Sequence, residues 1–205
     1  MRYLWIFIGA TAIAGCVSHP ARLRAGGAAP VLAHQSGVYI TPADFEAGRL
    51  ADAIACESES QPVRPDAFSG TTVVAMPGRS RETRYAKADI FGFRACDGTE
   101  VRFVRGASFR LVRAPPLYLY EHAYRVPTGK GGSRLIVDYA FSTTAADSVR
   151  SLTLDAMKRA YPENHRFHDL LDLAFRRDDE LIQYDDFHHA YRVARLRRQT
   201  SEPRP

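Results

Sequence analysis

Tyr3 to Ala14 is an unbroken run of apolar and small residues without a charge. Val17 to Ser36 has neither a strand nor a helix period and is rich in Ala, Gly and Pro, which predicts a flexible tether. From Val38 to Phe141 the pattern becomes one of short β-branched and aromatic segments parted by turn residues. Val38-Tyr39-Ile40 reads as a strand. Thr41-Pro42-Ala43-Asp44 then opens a short helix, with Thr41 as its cap, Pro42 in its first turn and Asp44 at the positive end of its dipole. Gly48 suits its end. Strand candidates follow at Leu50 to Glu57, Thr71 to Met76 and Thr83 to Ala95. Asp97-Gly98 predicts a two-residue hairpin turn. Val101 and Phe103 alternate with Arg102, and Phe109 and Leu111 with Arg110. Pro115-Pro116 breaks the chain before a last pair, Leu117 to Arg125 and Arg134 to Phe141, joined by residues 128–132. Strands at such regular spacing predict an antiparallel meander closing into a small β-barrel or rolled sheet, SH3-like by analogy.

Beyond Thr143 the period becomes helical. Thr153 caps a helix from Leu154 to Tyr161, stopped by Pro162. Asn164 caps a second, in which Phe167, Leu170, Leu171 and Ala174 recur on one side. A third is expected from about Asp178, with Leu181, Tyr184, Phe187, Tyr191 and Ala194 on one face. Its acids lie in the first turn and Arg192, Arg195, Arg197 and Arg198 in the last, which suits the helix dipole. The arginines read as a solvated helix end. The expected fold class is α+β: a mainly antiparallel β region over 37–142, a helical region of about three helices over 143–199, and a disordered tail over 200–205.

The composition is that of a globular chain: 205 residues, 45% hydrophobic, 25% charged and 11% aromatic. It excludes a low-complexity polymer and a multi-span membrane protein. Twenty-eight basic against 23 acidic residues give a net charge of +5. The bias is diffuse. Residues 151–205 are neutral, and the cations are almost all Arg, the lysines being Lys87, Lys130 and Lys158. Nucleic-acid modules concentrate their charge on one face, so no nucleic-acid partner is expected.

Met1-Arg2 places a positive charge before the apolar run. The run is too short for the roughly 20 residues that a bilayer core requires and fits the apolar stretch of a secretory signal. It ends in Ile13-Ala14-Gly15-Cys16. This order of aliphatic, small, Gly and Cys resembles the lipobox of bacterial lipoproteins. The resemblance implies cleavage before Cys16, a diacylglyceryl group on its thiol and acylation of its new amino group. Residues 1–15 are then a lipoprotein signal peptide, and 16–36 a lipidated Cys with its tether. The lipid bilayer becomes a partner through Cys16, each buried methylene contributing about 0.8 kcal/mol. Val17 stands where lipoproteins of the best-studied sorting system carry Asp for inner-membrane retention, so the resemblance favours the outer membrane. A second likeness spans residues 37–198. The blocks Gly37-Val38-Tyr39-Ile40-Thr41-Pro42-Ala43-Asp44-Phe45, Asp89-Ile90-Phe91-Gly92-Phe93-Arg94 and Tyr161-Pro162-Glu163-Asn164-His165-Arg166-Phe167-His168-Asp169-Leu170 resemble an uncharacterised family of exported bacterial proteins. That likeness implies domain limits and no chemistry.

Cys56 and Cys96 are the remaining cysteines, on neighbouring strand candidates. An exported setting favours a disulfide between them, the alternative being two buried thiols. Neither has a histidine close in sequence to make it a nucleophile. His165, His168 and Asp169 fall on one side of the second helix, and His188, beside His189, could join them if the third helix folds back. Zinc takes such ligands in tetrahedral array. The pattern is not HExxH, and histidines among aromatics at a helix interface are expected to pack, so neither metal nor cofactor is expected. Tyr118, Tyr120, His122 and Tyr124 alternate along one strand and share a face, which is either a core wall or a surface for stacking a ligand. Gly129-Lys130-Gly131-Gly132 lacks phosphate-loop spacing and reads as a hairpin loop, and no G-x-S-x-G occurs. The expectation is a non-enzymatic envelope lipoprotein that holds or contacts another envelope protein. A small-ligand binder using the tyrosine strand, and a metal-dependent hydrolase using the helical histidines, are the alternatives.

Overall fold

A computed structural model describes residues 35–56, 63–65, 70–75, 82–113, 115–129 and 131–201. The expected signal peptide, Cys16, residues 17–34 of the expected tether and the tail from 202 lie outside these residues. The described chain opens with β1 (Gln35–Tyr39), α1 (Pro42–Glu46) and β2 (Ala51–Ala55). Three short strands follow: β3 (Val63–Pro65), β4 (Thr72–Ala75) and β5 (Thr83–Ala86). A meander then runs through β6 (Gly92–Arg94), β7 (Glu100–Val104), β8 (Ala107–Arg113), β9 (Tyr118–Thr128) and β10 (Gly132–Ser142). After β11 (Arg150–Ser151) come α2 (Leu154–Ala160) and α3 (His165–Ala174). A 3-10 turn (Asp178–Glu180), a hairpin of β12 (Tyr184–Asp185) and β13 (Ala190–Tyr191), and α4 (Arg192–Gln199) complete it.

The mixture of antiparallel sheet and helices is as expected, but the barrel is not there. Eight strands form one open antiparallel sheet in the order β11-β10-β9-β8-β7-β6-β1-β2, and β3-β4-β5 form a separate small one. The large sheet stays open because other elements cover its apolar surface. On one face Val38, Phe93 and Phe103 pack with Val63, Val73 and Ala75 of the small sheet. Further along, that face carries Leu119 and Phe141 against Met157, Phe167, Leu171 and Val193 of the helices. On the opposite face Tyr39, Tyr118, Tyr120 and Ala140 are covered by Phe45 of α1 and by Ala145. Surface buried between layers does not require a sheet to close on itself.

The short-range chemistry explains where elements begin and turn. Thr41, Thr153 and Asn164 cap α1, α2 and α3 as expected, accepting the N–H groups of Asp44, Ala156 and Phe167. β1 starts at Gln35, inside the segment read as tether, because the Ser36 hydroxyl is buried and donates to the Arg94 carbonyl at 2.8 Å. Asp97-Gly98 sits in a three-residue loop rather than a two-residue turn. Ala95 N–H donates to Thr99 O, Gly98 N–H donates to Ala95 O, and the Asp97 carboxylate takes the Thr99 N–H at 2.8 Å. Gly92 is required by a close approach: a Cβ there would stand 2.0 Å from the Val101 carbonyl oxygen.

The third helix begins later than its period suggested. Asp185 accepts the His188 N–H at 3.0 Å and pairs with its ring at 2.8 Å. That local bond competes with the helical ladder, and residues 184–191 form the β12–β13 hairpin instead. The supposed helix face therefore separates. Leu181 and Ala194 are buried, whereas Tyr184 and Phe187 are exposed. The acids of the 3-10 turn and the arginines of α4 belong to different elements.

Candidate interaction surface

The strand register sets Tyr39, Gly92, Arg102 and Phe109 side by side on one face of the large sheet. Phe109 stacks on His122 with ring centroids 4.7 Å apart, and His122 lies opposite Asp138. Along β9 the same face carries Tyr118, Tyr120, His122 and Tyr124, as strand alternation requires. Tyr118 stacks on Tyr120 at 6.5 Å and His122 on Tyr124 at 5.1 Å. The expected shared face therefore exists, but its halves differ. Tyr118 and Tyr120 are buried core wall, while His122 is half-buried and Tyr124 is 37% exposed. The Tyr124 hydroxyl donates to Asp138 at 2.9 Å, and this bond is the first cause of its raised pKa.

Arg102 stands in the middle of that face and is only 6% exposed. Its guanidinium lies 4.9 Å from the Phe91 ring centroid and 5.8 Å from that of Tyr120. It donates to the Tyr120 hydroxyl and to Ser142 Oγ, each at 3.3 Å, and to the Asp147 carbonyl at 2.7 Å. Its Nε is buried and unpartnered. Ring faces and neutral oxygens hold this cation; among the described residues no carboxylate pairs with it. The Asp147 carboxylate is engaged elsewhere. Hydrogen bonds from Thr143 foremost, and from Thr144, hold its pKa below the usual carboxylate range. Sequence reasoning missed Arg102, since an arginine alternating with Val101 and Phe103 reads as solvent-facing. Its acceptors come from strands and a loop far along the chain.

Beside Arg102, the Tyr39 hydroxyl donates to Glu100 at 2.5 Å, and Glu100 also takes Arg94 at 2.7 Å. Burial first, then the Glu100 bond, raises the Tyr39 pKa well above its usual 10.0. Burial raises Tyr118, Tyr161 and Tyr191 too. A raised folded-state pKa means that the folded form keeps its proton while the unfolded chain loses it. The stabilisation is complete below about pH 10 and is lost as the pH rises beyond it. Urea unfolding at increasing pH is expected to show stability falling from about pH 10 upward, less steeply in Tyr39→Phe. A profile that is flat through this range, or identical in the variant, would count against the buried bond.

β9 and β10 pair along their whole length, from Thr128 opposite Gly132 to Tyr118 opposite Ser142. Their neighbours end sooner. β8 pairs with β9 no further than Glu121, and β11 reaches only Ala140 and Phe141 of β10. Residues from about 123 to 137 therefore continue as a two-stranded arm, open at its edges among the described residues. Its sides are mostly exposed, including Tyr124, Leu135 at 54% and Val137 at 41%. Beside the root of β10 lies a groove of about 380 Å³, lined by Val137, Asp138, Ser151, Asp178 and Asp179 among others.

The helical histidines serve other ends. His165 and His168 adjoin on α3, but His168 Nε2 donates to the Tyr161 and Lys158 carbonyls at 2.9 and 3.1 Å and closes the end of α2. His188 pairs with Asp185 in the β12–β13 hairpin and does not join His165, His168 and Asp169. No group of three or more His, Cys, Asp or Glu able to hold a metal ion occurs among the described residues. Cys56 and Cys96 are bonded, with Cα atoms 5.5 Å apart, and tie the end of β2 to the β6–β7 loop. No helix among the described residues is long and apolar enough to cross a membrane. Comparison of the chain with protein-family models, curated proteins and solved structures yields no match.

Proposed function

We propose that this chain is a lipoprotein of the cell envelope, anchored through Cys16 in the outer membrane, and that it works by contacting another envelope protein rather than by catalysis. The observation that supports this reading is the β9–β10 arm. It carries Tyr124, Leu135 and Val137 into solvent on strands whose edges are open among the described residues. Exposed apolar side chains on an unpaired edge are a template for association. The apolar export segment and Ile13-Ala14-Gly15-Cys16 supply the anchor. Incorporation of labelled palmitate into the full chain, lost in Cys16→Ser, tests that anchor. The contact is tested in intact cells with a photo-crosslinking amino acid at position 124, on the arm, or at position 159, on α2. A discrete adduct from the arm and none from α2 is expected. No adduct, or equal adducts from both positions, would overturn the reading.

A further inference from the structure

The β9–β10 arm as a contact surface is the premise, and the chemistry of its outer edge adds a second occupant to the envelope protein of that reading: another copy of this chain. Tyr139 O accepts the Leu152 N–H at 3.0 Å, so the peptide groups of Tyr139 point away from β9. Alternation along a strand turns the N–H and C=O of Ser133, Leu135 and Val137 the same way. β11 does not reach them, since Ser151 pairs with Ala140. The outer edge of β10 over residues 133–137 thus lacks a strand partner within the described chain. On the side-chain level, Leu135 and Val137 lie on one face of this stretch, and Arg134, Ile136 and Asp138 on the other. Arg134 and Asp138 are exposed, and neither forms an ion pair among the described residues.

An antiparallel copy of the same strand, turned about Ile136, matches the five positions from Arg134 to Asp138; Ser133 would fall opposite Tyr139, whose outward carbonyl Leu152 already holds, so the pairing stops there. Leu135 falls opposite Val137, Ile136 opposite Ile136, and Arg134 opposite Asp138, twice by symmetry. Leu135 and Val137, whose peptide groups face outward, exchange hydrogen bonds across the dyad. Ile136 forms the closely spaced, non-hydrogen-bonded pair at its centre. Moving the centre by one residue either way sets Arg134 or Asp138 against Ile136 and makes no charge pair. The arriving Arg134 also lies beside the groove that Asp138, Asp178 and Asp179 line. We infer that β10 is a homodimerisation edge: two copies of this chain join by antiparallel β10–β10 pairing centred on Ile136, merging their large sheets into one. A self-complementary patch of this kind closes as a two-fold dimer and leaves no edge for further growth at that site.

The test is sedimentation of the full chain in a neutral detergent, with Arg134→Glu and Asp138→Arg made singly. Each single change puts like charges opposite each other at both ends of the dyad. Each is expected to weaken the dimer on the order of tenfold or more. An equimolar mixture of the two variants restores opposite charges at both ends and is expected to dimerise again. Ile136→Cys is expected to give a disulfide-linked dimer on oxidation, because its two copies face each other at about 4.5 Å between Cα atoms. Leu135→Cys, whose copies lie diagonally apart, is expected to crosslink far less. A parent chain that stays monomeric, a dimer indifferent to the charge changes, or one that Ile136→Cys fails to trap overturns the inference. A monomeric chain that still yields a discrete adduct from position 124 overturns the dimer and leaves the envelope-contact reading standing. A monomer with no adduct removes both.

Discussion

Replacing Arg102 by Met is expected to lower stability by about 3 kcal/mol, read as a shift of the urea midpoint. The guanidinium joins β7 to Tyr120 of β9, Ser142 at the end of β10 and the Asp147 carbonyl. Met fills most of the volume but leaves these acceptors without their donor, at a cost of about 1–3 kcal/mol for each group left buried and unsatisfied. It also removes a cation from the faces of Phe91 and Tyr120. The gain on the other side is real. A buried guanidinium without a counter-charge has a large desolvation cost, and the mutation relieves it. That offset is why the expected loss is about 3 kcal/mol and not the sum of the bonds. Tyr120 and Ser142 stay paired with each other at 3.1 Å, which softens the loss further. An Arg102→Met chain as stable as its parent would mean that the buried cation serves something other than the fold.

Removing the Cys56–Cys96 disulfide by paired Cys→Ser substitution is expected to cost roughly 4 kcal/mol. The sequence separation is 40 residues, and the loop-closure entropy withheld from the unfolded chain gives roughly that figure. The bond holds β2, an edge strand with β1 as its neighbour. Asp52 of β2, at a positive φ of 47°, accepts the Tyr85 hydroxyl at 2.7 Å. Without the disulfide, β2 and the small sheet it touches are expected to lose hydrogen-exchange protection before β9 and β10. Equal urea midpoints for the oxidised and reduced parent chain would show that the reduced ensemble is already constrained in that loop.

The features legible before the structure were those set within a few residues. Thr41, Thr153 and Asn164 announced their helices because a cap is satisfied by an N–H only a few positions ahead. Val101 and Phe103 about Arg102, and Phe109 and Leu111 about Arg110, announced β7 and β8 by alternation, which is set between next neighbours. Two readings went astray for local reasons too weak to see in a pattern. Asp185 captures the His188 N–H and breaks a helix that the apolar spacing alone supports. Asp97 draws the Asp97-Gly98 turn into a longer loop. The sheet stays open instead of closing into a barrel for a different reason: strand spacing carries no information about what will cover the faces of a sheet.

The order and type of most elements, the β-then-helix arrangement and the shared face of Tyr118, Tyr120, His122 and Tyr124 are written in neighbouring residues. Periodicity and caps are short-range properties, and they survive any tertiary context that buries the right face. Long-range packing settled the rest: Arg102 is inside, Tyr118 and Tyr120 are walled off while Tyr124 is not, and β10 outruns β11. Those outcomes depend on which distant segments arrive above a face or beside an edge. Phe45, Ala145 and the two residues of β11 decide them, from positions that no window around Arg102 or β10 contains.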